Sequence, residues 1–183
     1  MRSKLILSAL VGLTMTLSGC AVTSGSTDGP SEFQVFDPTL IPLAPPADAT
    51  PVDPLIFDVG NGEYGFKAGG GPTWCSINVE GKFAICEHSE PDATYEELPV
   101  PKTCELSFGY QFRLHENEPA TGEIAEITCV SALYADPSLF QTLIPGETLT
   151  VGGITCFVTD ITARCDNASG NYIVLGQEVW AKG

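Results

Sequence analysis

Six cysteines between residues 75 and 165 constrain this chain more than any other feature: Cys75, Cys86, Cys104, Cys129, Cys156 and Cys165. Cys75 and Cys86 flank ten residues centred on Glu80-Gly81. A hairpin of even length with that centre sets Ser76 against Ile85 and Cys75 directly opposite Cys86. Cys156 and Cys165 flank eight residues centred on Asp160-Ile161, and the same parity sets them opposite each other. Directly opposed strand residues have the short separation that a disulfide needs. Cys104 then pairs with Cys129 by elimination. A one-residue bulge in either hairpin would undo this reading, because six cysteines permit many other connectivities. Zinc is the competing use of clustered cysteines. It is disfavoured by the absence of a Cys-x-x-Cys pair and by the presence of only two histidines, and no metal or other cofactor is expected.

The pattern around the cysteines is that of strands. Leu106, Phe108, Tyr110, Phe112 and Leu114 alternate with Glu105, Ser107, Gly109, Gln111 and Arg113, the period-2 signature of a strand with one buried face. Shorter β-rich runs occupy residues 74–79, 83–86, 124–130 and 154–159, and residues 172–175 and 179–180 read as a closing strand pair. One short helix is expected around residues 137–143, capped by Asp136 or Ser138. Turn signals punctuate the remainder, so the fold class expected is all-β: a small disulfide-stapled antiparallel barrel or sandwich over residues 61–183. Gly69-Gly70-Gly71-Pro72-Thr73-Trp74-Cys75 resembles Gly152-Gly153-Ile154-Thr155-Cys156, and an acid follows the second cysteine of each hairpin, Glu87 and Asp166. An internal repeat and two hairpins obeying the same rules both account for this.

The N-terminus describes export. Arg2 and Lys4 precede an apolar run from Leu5 to Leu17. That run is shorter than the roughly 20 residues of a spanning helix and fits the core of a signal peptide over residues 1–19. Its end, Leu17-Ser18-Gly19-Cys20, resembles the lipobox of bacterial lipoproteins. The resemblance implies cleavage before Cys20, a thioether lipid on its sulfur and an acyl chain such as palmitate on the new amino terminus. Several chains on one residue anchor stably where a single chain does not. The competing reading is an ordinary secretory signal with Cys20 incidental. Cys20 is the odd cysteine once the other six are paired, and an odd cysteine in an exported protein needs an explanation. The expected location is therefore the extracytoplasmic face of the cell membrane, where disulfides persist.

Residues 20–60 read as a disordered tether. Seven of the fourteen prolines fall there, after a Ser/Thr/Gly-rich start, which favours an extended, donor-poor backbone. Partial docking of residues 52–60 onto the domain is expected from Leu55 and Ile56. Removing residues 1–19 takes away two of the eight basic residues and none of the 23 acidic ones, so the net charge moves from −15 to −17. Such a chain repels nucleic acid; a basic secreted protein is the partner class it suits.

Two further resemblances concern the exported domain. The run Trp74-Cys75 to Cys86, the prolines Pro99 and Pro101 before Cys104, Leu143-Ile144-Pro145-Gly146 after Cys129, and Gly153-Ile154-Thr155-Cys156 to Cys165-Asp166-Asn167 resemble a family of actinobacterial exported lipoproteins. The six-cysteine domain of that family has no assigned function. The likeness covers about residues 70–180 and implies a secreted disulfide-bonded β domain without implying any chemistry. The ending Trp180-Ala181-Lys182-Gly183 departs from that pattern. Together with Ser169-Gly170, it is similar to a motif of lipoprotein inhibitors of animal lysozyme, which implies Ser169 and Lys182 as candidate partner-binding residues. A turn at Ser169-Gly170 and a solvated Lys182 are the plainer account.

No catalytic residues are identified. Only His88 and His115 can serve as imidazole bases, and neither sits in a recognisable motif with a nucleophile. Glu96-Glu97 and Glu116-x-Glu118 are carboxylate pairs in a chain full of carboxylates. Glu87-His88-Ser89-Glu90 with Asp92 lacks the ordered spacing of a calcium loop. The function expected is that of a non-enzymatic envelope lipoprotein that binds or inhibits another protein. An enzyme acting on envelope glycans through paired carboxylates and a structural envelope protein without a discrete ligand are the other classes.

Overall fold

The computed structural model describes residues 32–35 and 38–183. Among them fourteen strands follow in chain order: β1 (Glu32–Val35), β2 (Thr50–Pro51), β3 (Asp58–Gly60), β4 (Glu63–Ala68), β5 (Trp74–Asn78), β6 (Phe83–Glu87), β7 (Ser107–His115), β8 (Ala125–Val130), β9 (Gln141–Leu143), β10 (Glu147–Val151), β11 (Ile154–Val158), β12 (Thr162–Asn167), β13 (Tyr172–Gly176) and β14 (Val179–Lys182). They form two sheets that pack as a sandwich, with no closed barrel. One sheet runs β1-β14-β13-β12-β11-β10-β2. The other runs β3-β4-β5-β6-β7-β8, with β9 also pairing β4.

The same antiparallel meander occurs twice, as β4 to β8 and as β10 to β14, and in each a disulfide joins the second strand to the third. Cys75 lies directly opposite Cys86, and Cys156 opposite Cys165, each pair with Cα atoms 4.1 Å apart. Equivalent rows cross the two sheets through these bonds. One is Phe66–Cys75–Cys86–Phe112–Ile127 and the other Leu149–Cys156–Cys165–Ile173–Lys182. The rows are almost wholly apolar and face each other, so they form the centre of one core. The halves also exchange strands: β9 pairs in parallel with β4, and β2 in parallel with β10. The third disulfide, Cys104–Cys129, closes the long β6–β7 connection onto β8 at the surface.

In both halves the acid after the second cysteine helps to fix a covering segment, Glu87 directly and Asp166 by way of Arg164. Glu87 is 1 % exposed on the outer face of its sheet. Its carboxylate accepts from Trp74 Nε1 (3.0 Å), Gln111 Nε2 (2.8 Å) and the backbone N–H groups of Tyr134 (2.8 Å) and Ala135 (2.9 Å). It thereby holds the β8–β9 connection against the sheet, where Phe140 covers Gly65 so closely that a Cβ there would lie 2.3 Å from its ring. Asp166 grips the Arg164 guanidinium through Nε and Nη2, and Arg164 Nη1 donates to Pro42 O at 2.8 Å while stacking 4.1 Å over Tyr172. That bond ties the N-terminal segment to the outer face of the other sheet.

The structure departs from the sequence expectations in three places. The domain begins before residue 61. Phe57 is a core residue, Thr50 and Val52 donate to Gly146 O and Thr148 O, and β1 pairs with β14. Pro51 is tolerated because β2 is an edge strand. Docking thus extends beyond residues 52–60; Cys20 and the signal peptide expected over residues 1–19 lie outside the described residues. Secondly, the alternation in β7 fails at its start. Phe112 and Leu114 are fully buried, but Leu106 is 51 % exposed and Gln111 is buried. Between Phe108 and Phe112 the register with β8 slips by two residues, through Gly109 at φ +98°, and the bulge turns Gln111 toward Glu87 and Thr128. Thirdly, the helix expected at residues 137–143 is a single 3-10 turn, Pro137–Leu139. Asp136 caps it by accepting from Ser138 N, and the chain then becomes β9, whose backbone groups are used by β4.

Candidate functional site

The long connection from His88 to Leu106 folds back over the bulged start of β7, and the space between them is a cleft. Three local devices hold it open. Ser89 Oγ donates to the Asp92 carboxylate across a 3-10 turn at Glu90–Asp92. Thr94 donates through both N (2.8 Å) and Oγ1 (3.1 Å) to Gln177 O in the β13–β14 turn. Tyr95 enters the core and donates to Gly109 O at 2.6 Å. Leu98 lies against Gly109, where a Cβ would sit 2.9 Å from its Cδ1.

Behind the cleft, His88 is fully buried. Its Nε2 is 2.9 Å from Tyr95 Oη and its Nδ1 3.5 Å from Thr73 Oγ1. The Tyr95 hydroxyl proton is committed to Gly109 O, so His88 Nε2 carries hydrogen and donates to Tyr95 Oη. Burial pushes the His88 pKa down to about 4 against a smaller opposing pull from Asp92, so the ring is neutral at physiological pH. It positions Tyr95 from within the core.

The cleft has a volume of about 470 Å³ and is lined by Glu90, Tyr95, Glu97, Leu98, Phe108 and Tyr110, among others. It continues past Val100 and Leu106, which are 56 % and 51 % exposed. The Tyr110 phenol is held above its ordinary pKa by burial, then by the negative charge of Glu90 and of Glu97. Both carboxylates therefore act on the same point inside the cleft. A surface of aromatic rings and carboxylates with an exposed aliphatic margin attracts a cationic side chain carried on an apolar stem, through ion pairing and the electron-rich ring faces. Glu90 and Glu97 are solvent-exposed at the cleft.

The residues singled out from sequence are placed as follows. The run 87–92 is split: Glu87 and His88 are buried and bonded, Ser89 and Asp92 bond each other, and Glu90 and Pro91 line the cleft. His115 Nε2 lies 3.6 Å from Glu126 Oε1, beside the Phe83 ring. Ser169 is exposed in the β12–β13 turn, its N–H donating to Asn167 Oδ1 at 3.0 Å. Lys182 is not a solvated terminal charge. It is 7 % exposed at the row position equivalent to Ile127, and its ammonium donates to Glu123 Oε2 (2.6 Å) and Ala125 O (3.3 Å). Sequence reasoning missed Tyr95, Glu97, Phe108 and Tyr110 as one surface. The available signal was Gly109, a glycine within an otherwise regular alternation, which marks a bulge.

No protein-family model, curated protein or solved structure matches the chain.

Proposed function

We propose that this chain is a lipid-anchored envelope protein whose β domain is a non-enzymatic binding module, taking a basic segment of a secreted partner protein into the acidic aromatic cleft. The observation that carries the reading is that Glu90 and Glu97 line, with Tyr95, Phe108 and Tyr110, one cleft of about 470 Å³. The net charge of −15 over the chain favours encounter with a cationic partner. The anchor rests on the lipobox at Cys20, and the bound face is the acidic cleft rather than the surface around Lys182, whose charge is already engaged by Glu123. Animal lysozyme is one basic secreted protein of the class this surface suits.

The test is binding of a lysine-rich peptide and of lysozyme to the chain and to the double variant Glu90→Gln/Glu97→Gln. Loss of about two charge-assisted contacts, each worth ~1 kcal/mol at a surface, predicts roughly 10-fold to 30-fold weaker binding. Equal affinity of the two proteins removes the cleft reading. Release of sugar fragments from envelope glycan by the parent chain and not by the variant would instead establish the two carboxylates as catalytic.

A further inference from the structure

The two core disulfides meet. Cys86 Sγ lies 3.8 Å from Cys165 Sγ across the sandwich, about van der Waals contact for sulfur, and the sulfurs of Cys75, Cys86 and Cys165 all lie within 4.8 Å of one another. Sheets in a sandwich ordinarily stand ~10 Å apart. Here they approach more closely: β13 comes within 8 Å of β6 and β7 between Cα atoms. The residues two before Cys86 and Cys165 on the same inward face, Ala84 and Ala163, are small and fully buried. Cys75, Cys86, Cys156 and Cys165 are all 0 % exposed, so the bonds meet inside the core.

We propose that these four cysteines form a buried thiol–disulfide exchange site with a third connectivity, Cys86–Cys165, that joins the two sheets covalently. The co-reactant is a dithiol reductant of the kind carried by thiol oxidoreductases, reaching the sulfurs when the sandwich opens. Its thiolate attacks Cys75 Sγ and releases Cys86 as thiolate; its second thiol resolves the mixed disulfide, leaving Cys75 as a thiol and the reductant as a cyclic disulfide. Cys86 thiolate then attacks Cys165 Sγ. The Cys86–Cys165 bond forms, the Cys156–Cys165 bond breaks, and Cys156 leaves as thiolate and takes up a proton. One disulfide is consumed for one dithiol oxidised, and the survivor has moved from within a sheet to between the sheets. Cys104–Cys129 lies outside this set of sulfurs and takes no part.

The full chain carrying Cys75→Ala isolates the exchange step, because its Cys86 is a free thiol beside an intact Cys156–Cys165 bond. Acid quenching, alkylation under denaturing conditions and peptide mapping are expected to find label at both Cys86 and Cys156, together with a Cys86–Cys165 linked peptide. The reciprocal variant Cys156→Ala is expected to show label at Cys165 and Cys75. The double variant Cys75→Ala/Cys156→Ala, oxidised with glutathione disulfide, is expected to form the Cys86–Cys165 bond. Label confined to Cys86 in the first variant and to Cys165 in the second overturns the proposal. So does scrambling that reaches Cys104 or Cys129, and so does failure of the double variant to cross-link.

Discussion

Acidification to pH 4 should cost this domain a defined amount of stability through one residue, His88. The ring is fully buried, and its pKa falls from 6.5 in an unfolded chain to about 4 in the fold. Between those values the unfolded chain binds a proton that the folded chain does not, so stability rises with pH across that window. The contribution is fully present above pH 6.5 and is lost as pH falls through the folded value. At about 1.36 kcal/mol per unit the loss is ~2 kcal/mol by pH 5 and ~3 kcal/mol by pH 4. Asp92 is the charged neighbour opposing the shift, and Tyr95 is the hydrogen-bond partner that the neutral ring serves. His88→Gln keeps a donor for Tyr95 and cannot titrate. Urea unfolding followed by the fluorescence of the buried Trp74 and Trp180, between pH 7.5 and pH 4, should show the parent losing ~3 kcal/mol more than the variant. Parallel curves for the two proteins would falsify the assignment of a neutral, desolvated ring.

The buried carboxylate and the proposed anchor residue give two further tests. Glu87→Ala strands four donors, the Trp74 indole, the Gln111 amide and the Tyr134 and Ala135 backbone groups. It should cost roughly 3–5 kcal/mol and accelerate hydrogen exchange at the Tyr134 and Ala135 amides before exchange rises elsewhere. Cys20→Ala should move the protein from the detergent phase to the culture medium, as measured by phase partitioning; unchanged membrane association would count against lipidation at that residue.

The fold was legible in the sequence where local arithmetic decides it. Opposed cysteines at even spacing set the register of β5 with β6 and of β11 with β12, and both hairpins form as that parity requires. What stayed hidden depended on partners distant in sequence. Gln141–Leu143 and Thr50–Pro51 carry no period of their own and become strands only because β4 and β10 offer edges from the opposite half. Leu106 reads as a core position in the alternation, yet the bulge at Gly109 puts it at the rim of a cleft. Lys182 reads as a solvated terminal residue. Its position on β14 places it over β8, where Glu123 and Ala125 O accept its charge. The cleft itself was hidden because residues 88–106 are irregular and their arrangement rests on Tyr95 finding Gly109 O.

The strand exchange between the halves sets an order of assembly for a chain that emerges N-terminus first. The Cys75–Cys86 hairpin can close from local contacts alone, and so can the Cys156–Cys165 hairpin. β2, by contrast, finds its partner only when β10 has emerged, and Pro42 finds Arg164 later still. Neither meander is complete by itself: β4 lacks β9 and β10 lacks β2 until both halves are present. A chain stopped after β8 would leave the edge of β4 open to pairing with a neighbouring molecule. The pairing edge that the first half exposes alone is covered only when Gln141–Leu143 from the second half joins it.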